Sequence, residues 1–248
     1  TLNVTSNRTT TTYGAGDAIT VSATAGSGTG AVTFATTSTT CSVNSSNGSV
    51  TVLGAGNCVV TATKAADTNY EITDGSVTIV ISKGAQAAVS PSPATLNTTF
   101  GDGTSIVISL SGGSGTGAVT FASSNTAVCT VDQNTGTVAI IAAGSCVITS
   151  TKAADSNYLV TSATSSLTVN KAAQATLTAT KTSDTTFGNA TVVTAGASGG
   201  SGTGSLSYAS TTLTVCTVNA STGVITIVTA GSCVIRATKA ADTNYLVA

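Results

Sequence analysis

The chain contains no histidine, carries one glutamate (Glu71), and holds only eight Lys and Arg against nine Asp and Glu in 248 residues. Without histidine the commonest general base is gone, and neither a Ser-His-Asp nor a Cys-His arrangement can be assembled. Paired carboxylates fare little better, because the recurring acids Asp67, Asp155 and Asp242 come one to a repeat. The chain is therefore expected not to be an enzyme and to use no cofactor. Charge this sparse, with a formal net value of -1, offers no footprint for DNA, RNA or an acidic membrane. No apolar run approaches the roughly 18 residues that span a bilayer. The opening Thr1-Leu2-Asn3-Val4 has neither a charged leader nor an apolar core region, so the chain reads as a mature or excised piece. A composition dominated by Thr, Ser, Gly and Ala, with almost no Lys or Glu, suits a secreted protein rather than a cytosolic one.

What the chain does contain is a repeat. Its six cysteines fall in three pairs, Cys41 and Cys58, Cys129 and Cys146, Cys216 and Cys233, each pair seventeen residues apart. Successive copies start 88 and then 87 residues apart, a domain-sized period rather than that of a solenoid unit. From Gly112 to Tyr158 and from Gly199 to Tyr245 two copies align without a gap, identical at 28 of 47 positions. Domains of this size are marginal without extra help, and a disulfide closing such a loop supplies roughly 3 kcal/mol in the chain-entropy picture. An even count of evenly spaced cysteines reads as bridges made in an oxidising compartment. Buried reduced thiols are the alternative. Zinc is poorly supported, since two lone cysteines per copy give no four-ligand set.

Within each copy the order of features is fixed. A β-rich opening segment precedes an aromatic-Gly pair (Tyr13-Gly14, Phe100-Gly101, Phe187-Gly188). A second strand leads into a glycine loop, and a third reaches Phe34, Phe121 or Tyr208. Then come a cysteine strand, a tight turn at Asn47-Gly48, Thr135-Gly136 or Thr222-Gly223, a further strand, and a strand opened by Gly-x-Cys. A last strand is expected over Val77 to Ser82 and Ser166 to Asn170. Alternation such as Ser49-Val50-Thr51-Val52 carries the strand assignments, Asn-Gly is a hairpin signal, and no segment has a helical period. About seven short strands per copy predict an all-β chain of three tandem immunoglobulin-like antiparallel β-sandwiches, residues 1–83, 84–171 and 172–248. The junctions Lys83-Gly84-Ala85-Gln86 and Lys171-Ala172-Ala173-Gln174 lack any Gly/Ser run, so a stiff rod is expected. Copy three stops at Tyr245-Leu246-Val247-Ala248, before its last strand. A cut from a longer array is expected, with a strand from another molecule as the alternative.

All nine aromatics fall in three columns: the aromatic-Gly residues; Phe34, Phe121 and Tyr208; and Tyr70, Tyr158 and Tyr245. The fold is expected to account for each of them, leaving no platform for a sugar. The last column sits in Asp-x-Asn-Tyr, where the phenol is expected to anchor its own loop, loosely as in a tyrosine corner. The loops holding Gly26, Gly28 and Gly30, Gly113, Gly115 and Gly117, and Gly200, Gly202 and Gly204 read as sandwich turns rather than phosphate cradles, since no helix follows them. Calcium at Lys-Ala-Ala-Asp is thinly supported by one acid per junction. An isopeptide link from Lys83 or Lys171 lacks an evident catalytic acid. Sequons such as Asn97-Thr98-Thr99 and Asn189-Ala190-Thr191 leave glycosylation open.

The stretch Phe121-Ala122-Ser123-Ser124-Asn125-Thr126-Ala127-Val128-Cys129-Thr130-Val131, then Thr135-Gly136-Thr137-Val138 and Ala143-Gly144-Ser145-Cys146-Val147-Ile148-Thr149, resembles the group 2 bacterial Ig-like repeats of intimin- and invasin-type surface adhesins and long secreted repeat proteins. Two features depart from that pattern. The usual tryptophan is Phe or Tyr here, and cysteines stand where small residues are usual. The resemblance implies a disulfide-bearing branch in which a bridge ties the cysteine strand to the Gly-x-Cys strand. It further implies an extracellular spacer, adhesive or filament-building role. Its partners would be neighbouring repeats of the same or identical chains, including a homopolymer, and it supplies no catalytic residue. A glycan- or receptor-binding module is the competing expectation, resting on the non-repeating charges Arg8, Glu71, Lys181 and Arg236.

Overall fold

Period-two burial builds the strands of the computed structural model, which describes Thr1–Ala248 and contains no helix. Copy one comprises β1 (Leu2–Ser6), β2 (Thr10–Thr12), β3 (Ile19–Ala25), β4 (Val32–Thr36), β5 (Cys41–Val43), β6 (Ser49–Val52), β7 (Gly56–Lys64) and β8 (Thr73–Ser82). One sheet has the order β1-β3-β6-β5 and the other β2-β8-β7-β4. All these pairs are antiparallel except β2 with β8, which run parallel from Thr10 opposite Val80 to Thr12 opposite Ser82. Every second residue of β7 and β8 points between the sheets, so Cys58, Val60, Ala62, Ile79 and Ile81 are buried together with Ile19, Val21, Phe34 and Val50. Burying a Val or Ile side chain contributes about 1.5–3 kcal/mol. This is the all-β, tandem immunoglobulin-like sandwich architecture.

The chain divides into two compact units. The first joins copy one, through Pro91, to Leu110–Thr120 and Ser150–Ala163 of copy two. The second holds Ser92–Ser109, Phe121–Thr149 and Thr164–Ala248. In the second unit Thr95–Thr99 runs parallel to Ser166–Asn170, repeating the β2–β8 arrangement. Ile106, Phe121, Cys129, Val138, Cys146, Ile148, Leu167 and Val169 are buried there. Copy three adds a sheet of four strands and a pair, Leu206–Ser210 with Ile235–Lys239.

Several sequence expectations are corrected in detail. The strands number eight, nine and six in the three copies rather than about seven in each. In copy one the opening segment splits, because β1 pairs in one sheet and β2 in the other. In copy two the break falls at Pro93, which has no N–H to donate to a ladder. The turn at Asn47-Gly48 is a five-residue loop, with Gly48 at φ 70° and the Asn44 side chain accepting from the Ser46 and Asn47 amides. The last strands begin earlier than expected, at Thr73 and Thr161.

Ala248 exchanges both main-chain hydrogen bonds with Lys239, as Thr73 pairs with Lys64 in copy one. The Gly-x-Cys strand of copy three covers the five residues Ile235–Lys239, against the nine residues Gly144–Lys152 in copy two. A groove of about 720 Å³ in copy three is lined by Val193, Ile225, Ile227, Cys233, Ile235 and Phe187 among others. No helix is long and apolar enough to cross a membrane.

Candidate functional site: the junctions between copies

The motif Lys-Ala-Ala-Asp-x-Asn-Tyr closes on itself before it reaches anything else. In copy two the Asp155 carboxylate accepts from the Asn157 and Tyr158 amides through Oδ1, at 2.9 and 2.8 Å. Through Oδ2 it accepts from the Thr116 amide at 2.6 Å and from the Thr116 hydroxyl. Asp242 repeats the pattern with Thr203, Asn244 and Tyr245, and Asp67 with Thr29, Asn69 and Tyr70. The Thr116 amide first, then those of Asn157 and Tyr158, hold the Asp155 carboxyl down at about 2. Asp242 lies at about 2 with the Thr203 amide as the leading cause, and Asp67 is lowered chiefly by the Asn69 amide.

This geometry explains the glycine loop. A side chain on Gly115 would meet the Asp155 carboxylate, and one on Gly117 would strike the Ala153 carbonyl. The loop is a seat for the aspartate turn of its own copy. Because N–H donors already occupy both oxygens of the acid, its surroundings are the electrostatic opposite of a cation site.

So ordered, the turn presents Asn157 and Tyr158 to the preceding copy. Asn157 Oδ1 accepts from the Ala55 amide at 2.9 Å, and the Tyr158 ring meets the Tyr13 ring edge-on, with centroids 5.3 Å apart at 85°. The connecting residue Gly84 donates to the Asn157 carbonyl and accepts from the Leu159 amide, forming a parallel bridge opposite Tyr158. A Cβ at Gly84 would meet the Tyr13 carbonyl, so this first junction is drawn tight around glycine, whereas Ala172 fills the equivalent position of the second. Lys83 Nζ donates to the Asp155 carbonyl, and Gln86 Nε2 to the carbonyls of Ala153 and Leu159.

The second junction is built the same way. Asn244 Oδ1 accepts from the Ala143 amide at 2.8 Å, and Tyr245 meets Phe100 at 5.7 Å and 83°. Ala172 donates to the Asn244 carbonyl and accepts from Leu246; Lys171 and Gln174 repeat the roles of Lys83 and Gln86. An aromatic pair at such geometry adds about 0.5–1.5 kcal/mol beyond area burial.

A scan against family models matches residues 100–154 to the intimin immunoglobulin-like domain. That match lies within the middle copy, which is similar to that domain over those residues alone. None of the curated proteins matches this chain. Solved structures similar to it include mouse cadherin-23 EC22-24, at 13% identity over 96% of this chain and 94% of that one, with a TM-score of 0.35. Mouse protocadherin-24 EC1-3 matches at 13% identity over 96% and 92%, with a TM-score of 0.34. Domains 4 and 5 of the S-layer protein SbsC match at 19% identity over 68% and 98%, with a TM-score of 0.29. Scores this low carry no argument about function.

The cysteines lie where the two sheets face one another. Cys41 on β5 and Cys58 on β7 are bonded, with Cα atoms 5.7 Å apart; Cys129 and Cys146 stand at 6.2 Å, and Cys216 and Cys233 at 5.6 Å. Five of the six are buried, and Cys233 is half-buried beside the open groove. A hydroxyl attends each pair, from Thr36, Ser123 or Ser210, which the sequence pattern did not single out.

Two expectations fail here. Tyr158 and Tyr245 pack by ring contact across the junction, where phenol anchoring of their own loop was expected. Nor does the fold absorb every aromatic, since Tyr70 is 51% and Phe187 59% exposed. Of the non-repeating charges, Arg8 pairs with Asp17 at 3.4 Å and Lys181 with Asp184.

Proposed function

We propose that this chain is a stretch of tandem structural repeat from an extracellular bacterial surface protein, of the group 2 Ig-like kind, whose task is to hold successive domains at a fixed spacing. The carrying observation is that one set of contacts occurs twice, Ala55–Asn157 with Tyr13–Tyr158 and Ala143–Asn244 with Phe100–Tyr245. Residues that recur from copy to copy are used to join one copy to the next, as a spacer requires. With boundaries placed at Lys83 and Lys171, Gly84 and Ala172 open the next copy and bridge to its Tyr158 and Tyr245, which supports that use. The three cysteine pairs act as staples made in an oxidising space, each securing a small core. A ligand-binding module finds less support, because Arg8 and Lys181 are engaged with acids beside them.

The test is NMR relaxation on the dilute chain and on the double variant Asn157→Ala/Tyr158→Ala. In the parent chain copies one and two are expected to tumble with one correlation time, and in the variant with two. Independent tumbling in the parent chain would remove the spacer reading.

A further inference from the structure

The two junctions make the same contacts, but the residues around those contacts differ. A cleft of about 480 Å³ opens beside the first, lined by Thr12, Tyr13, Asp17, Thr51, Val52 and Tyr158 among others. All of these belong to the first compact unit. Ligand sites in proteins commonly hold roughly 300–1,000 Å³.

Three of these side chains carry polar groups that the junction does not need. The Tyr13 ring meets Tyr158 edge-on, and Phe100 makes the same contact with Tyr245 without a hydroxyl. Thr51 is exposed on β6, where copy two has Ala139. Asp17 accepts from the buried Thr11 hydroxyl at 2.6 Å through Oδ2, while its Oδ1 lies 3.4 Å from the exposed Arg8 guanidinium. In copy two the acid bonded to the equivalent threonine is Asp102, closed by three donors: the Thr98 hydroxyl and the amides of Thr99 and Thr104. A carboxylate with room for a further donor, two spare hydroxyls and two aromatic rings thus stand together at the first junction, and Phe100 and Ala139 remove both hydroxyls from the second.

The chemistry of this set narrows the ligand. The Arg8 guanidinium offsets the Asp17 charge, so the cleft offers little to an ion of either sign. Hydroxyls that both donate and accept, beside a carboxylate that accepts, suit a molecule rich in hydroxyls. The rings suit an apolar face. A pyranose offers both, with hydroxyls around its rim and C–H groups on its faces. We propose that the cleft binds one neutral hexopyranose unit, its hydroxyls bonded to Asp17, Thr51 and the Tyr13 phenol and its C–H face against the tyrosine rings. This goes beyond the spacer reading, giving the first junction a task that the second does not share.

The experiment is a heteronuclear NMR titration of the whole chain with the methyl glycosides of glucose, galactose and mannose, and with glycerol as a hydroxyl-rich control that has no ring. One ring held by a few hydrogen bonds in an open cleft is expected to bind with a Kd on the order of 1–10 mM. At least one glycoside is expected to give saturating shifts at the amides of Tyr13, Asp17, Thr51 and Tyr158, with those of Phe100, Ala139 and Tyr245 unmoved. The variant Tyr13→Phe/Thr51→Ala installs only the residues of the second junction, so copies one and two are expected to keep their common correlation time. Its affinity is expected to fall by about tenfold or more, since two hydrogen bonds are lost. Absence of a saturating shift with all three glycosides would overturn the proposal, as would equal shifts from glycerol or unchanged affinity in the variant. Tumbling is measured without sugar, so the spacer reading stands or falls separately.

Discussion

Ser150 is fully buried, and its hydroxyl has no hydrogen-bond partner. The equivalent residues are Ala62, also fully buried, and Ala237. A buried hydroxyl left unpaired costs about 1–3 kcal/mol, so Ser150→Ala is expected to stabilise copy two by about 1 kcal/mol, read as a higher denaturation midpoint. Unchanged or lowered stability would mean that the hydroxyl is paired. The residue scale also marks what a sequence can convey. The column Tyr70, Tyr158, Tyr245 was visible as a repeat, but its packing was not, because its partners Tyr13 and Phe100 lie 145 positions away in the chain in both cases. Asn157 and Ala55 are separated by 102 positions and share no local pattern.

At the scale of the element, the aspartate turn depends on a charge. The Asp155 and Asp242 carboxyls lie at about 2, below their ordinary 3.8, so protonation weakens the turns. A depressed pKa contributes stability that is complete above the ordinary value and is lost as pH falls through the depressed one. The turns are therefore expected to loosen between pH of about 4 and about 2. Amide resonances of Asn157, Tyr158, Asn244 and Tyr245 should shift in that window ahead of those of Val60 and Ile79 in the core strands. Strands were the most legible elements, because Val50, Val52 and their neighbours alternate by side-chain type. Boundaries were less so: β8 begins at Thr73-Asp74-Gly75, polar or flexible residues held in a strand by pairing with Thr63 and Lys64.

For the whole molecule, three copies of one pattern do not make three equal domains. In copy three Cys233 is half-buried beside the groove, while Cys58 and Cys146 are buried. Thiolate attack on a disulfide needs access to the sulfur. Under graded reductant with alkylation and mass spectrometry, Cys216 and Cys233 are expected to be labelled first and the other four only with unfolding. Labelling of all six together would contradict the difference in cover. The chain showed its threefold repeat plainly. The hydrogen bonds that join the copies could not be read from it, since they depend on main-chain groups of Ala55, Gly84 and Ala143.

The parallel pairing of Thr10–Thr12 with Val80–Ser82, and of Thr95–Thr99 with Ser166–Asn170, joins the second and last strands of a copy side by side. If such a copy is pulled by its two ends, these strands slide in opposite directions and the hydrogen bonds between them are loaded together in shear, instead of opening one by one like a zip. Copies one and two thus resist tension through a clamp that must fail as a unit.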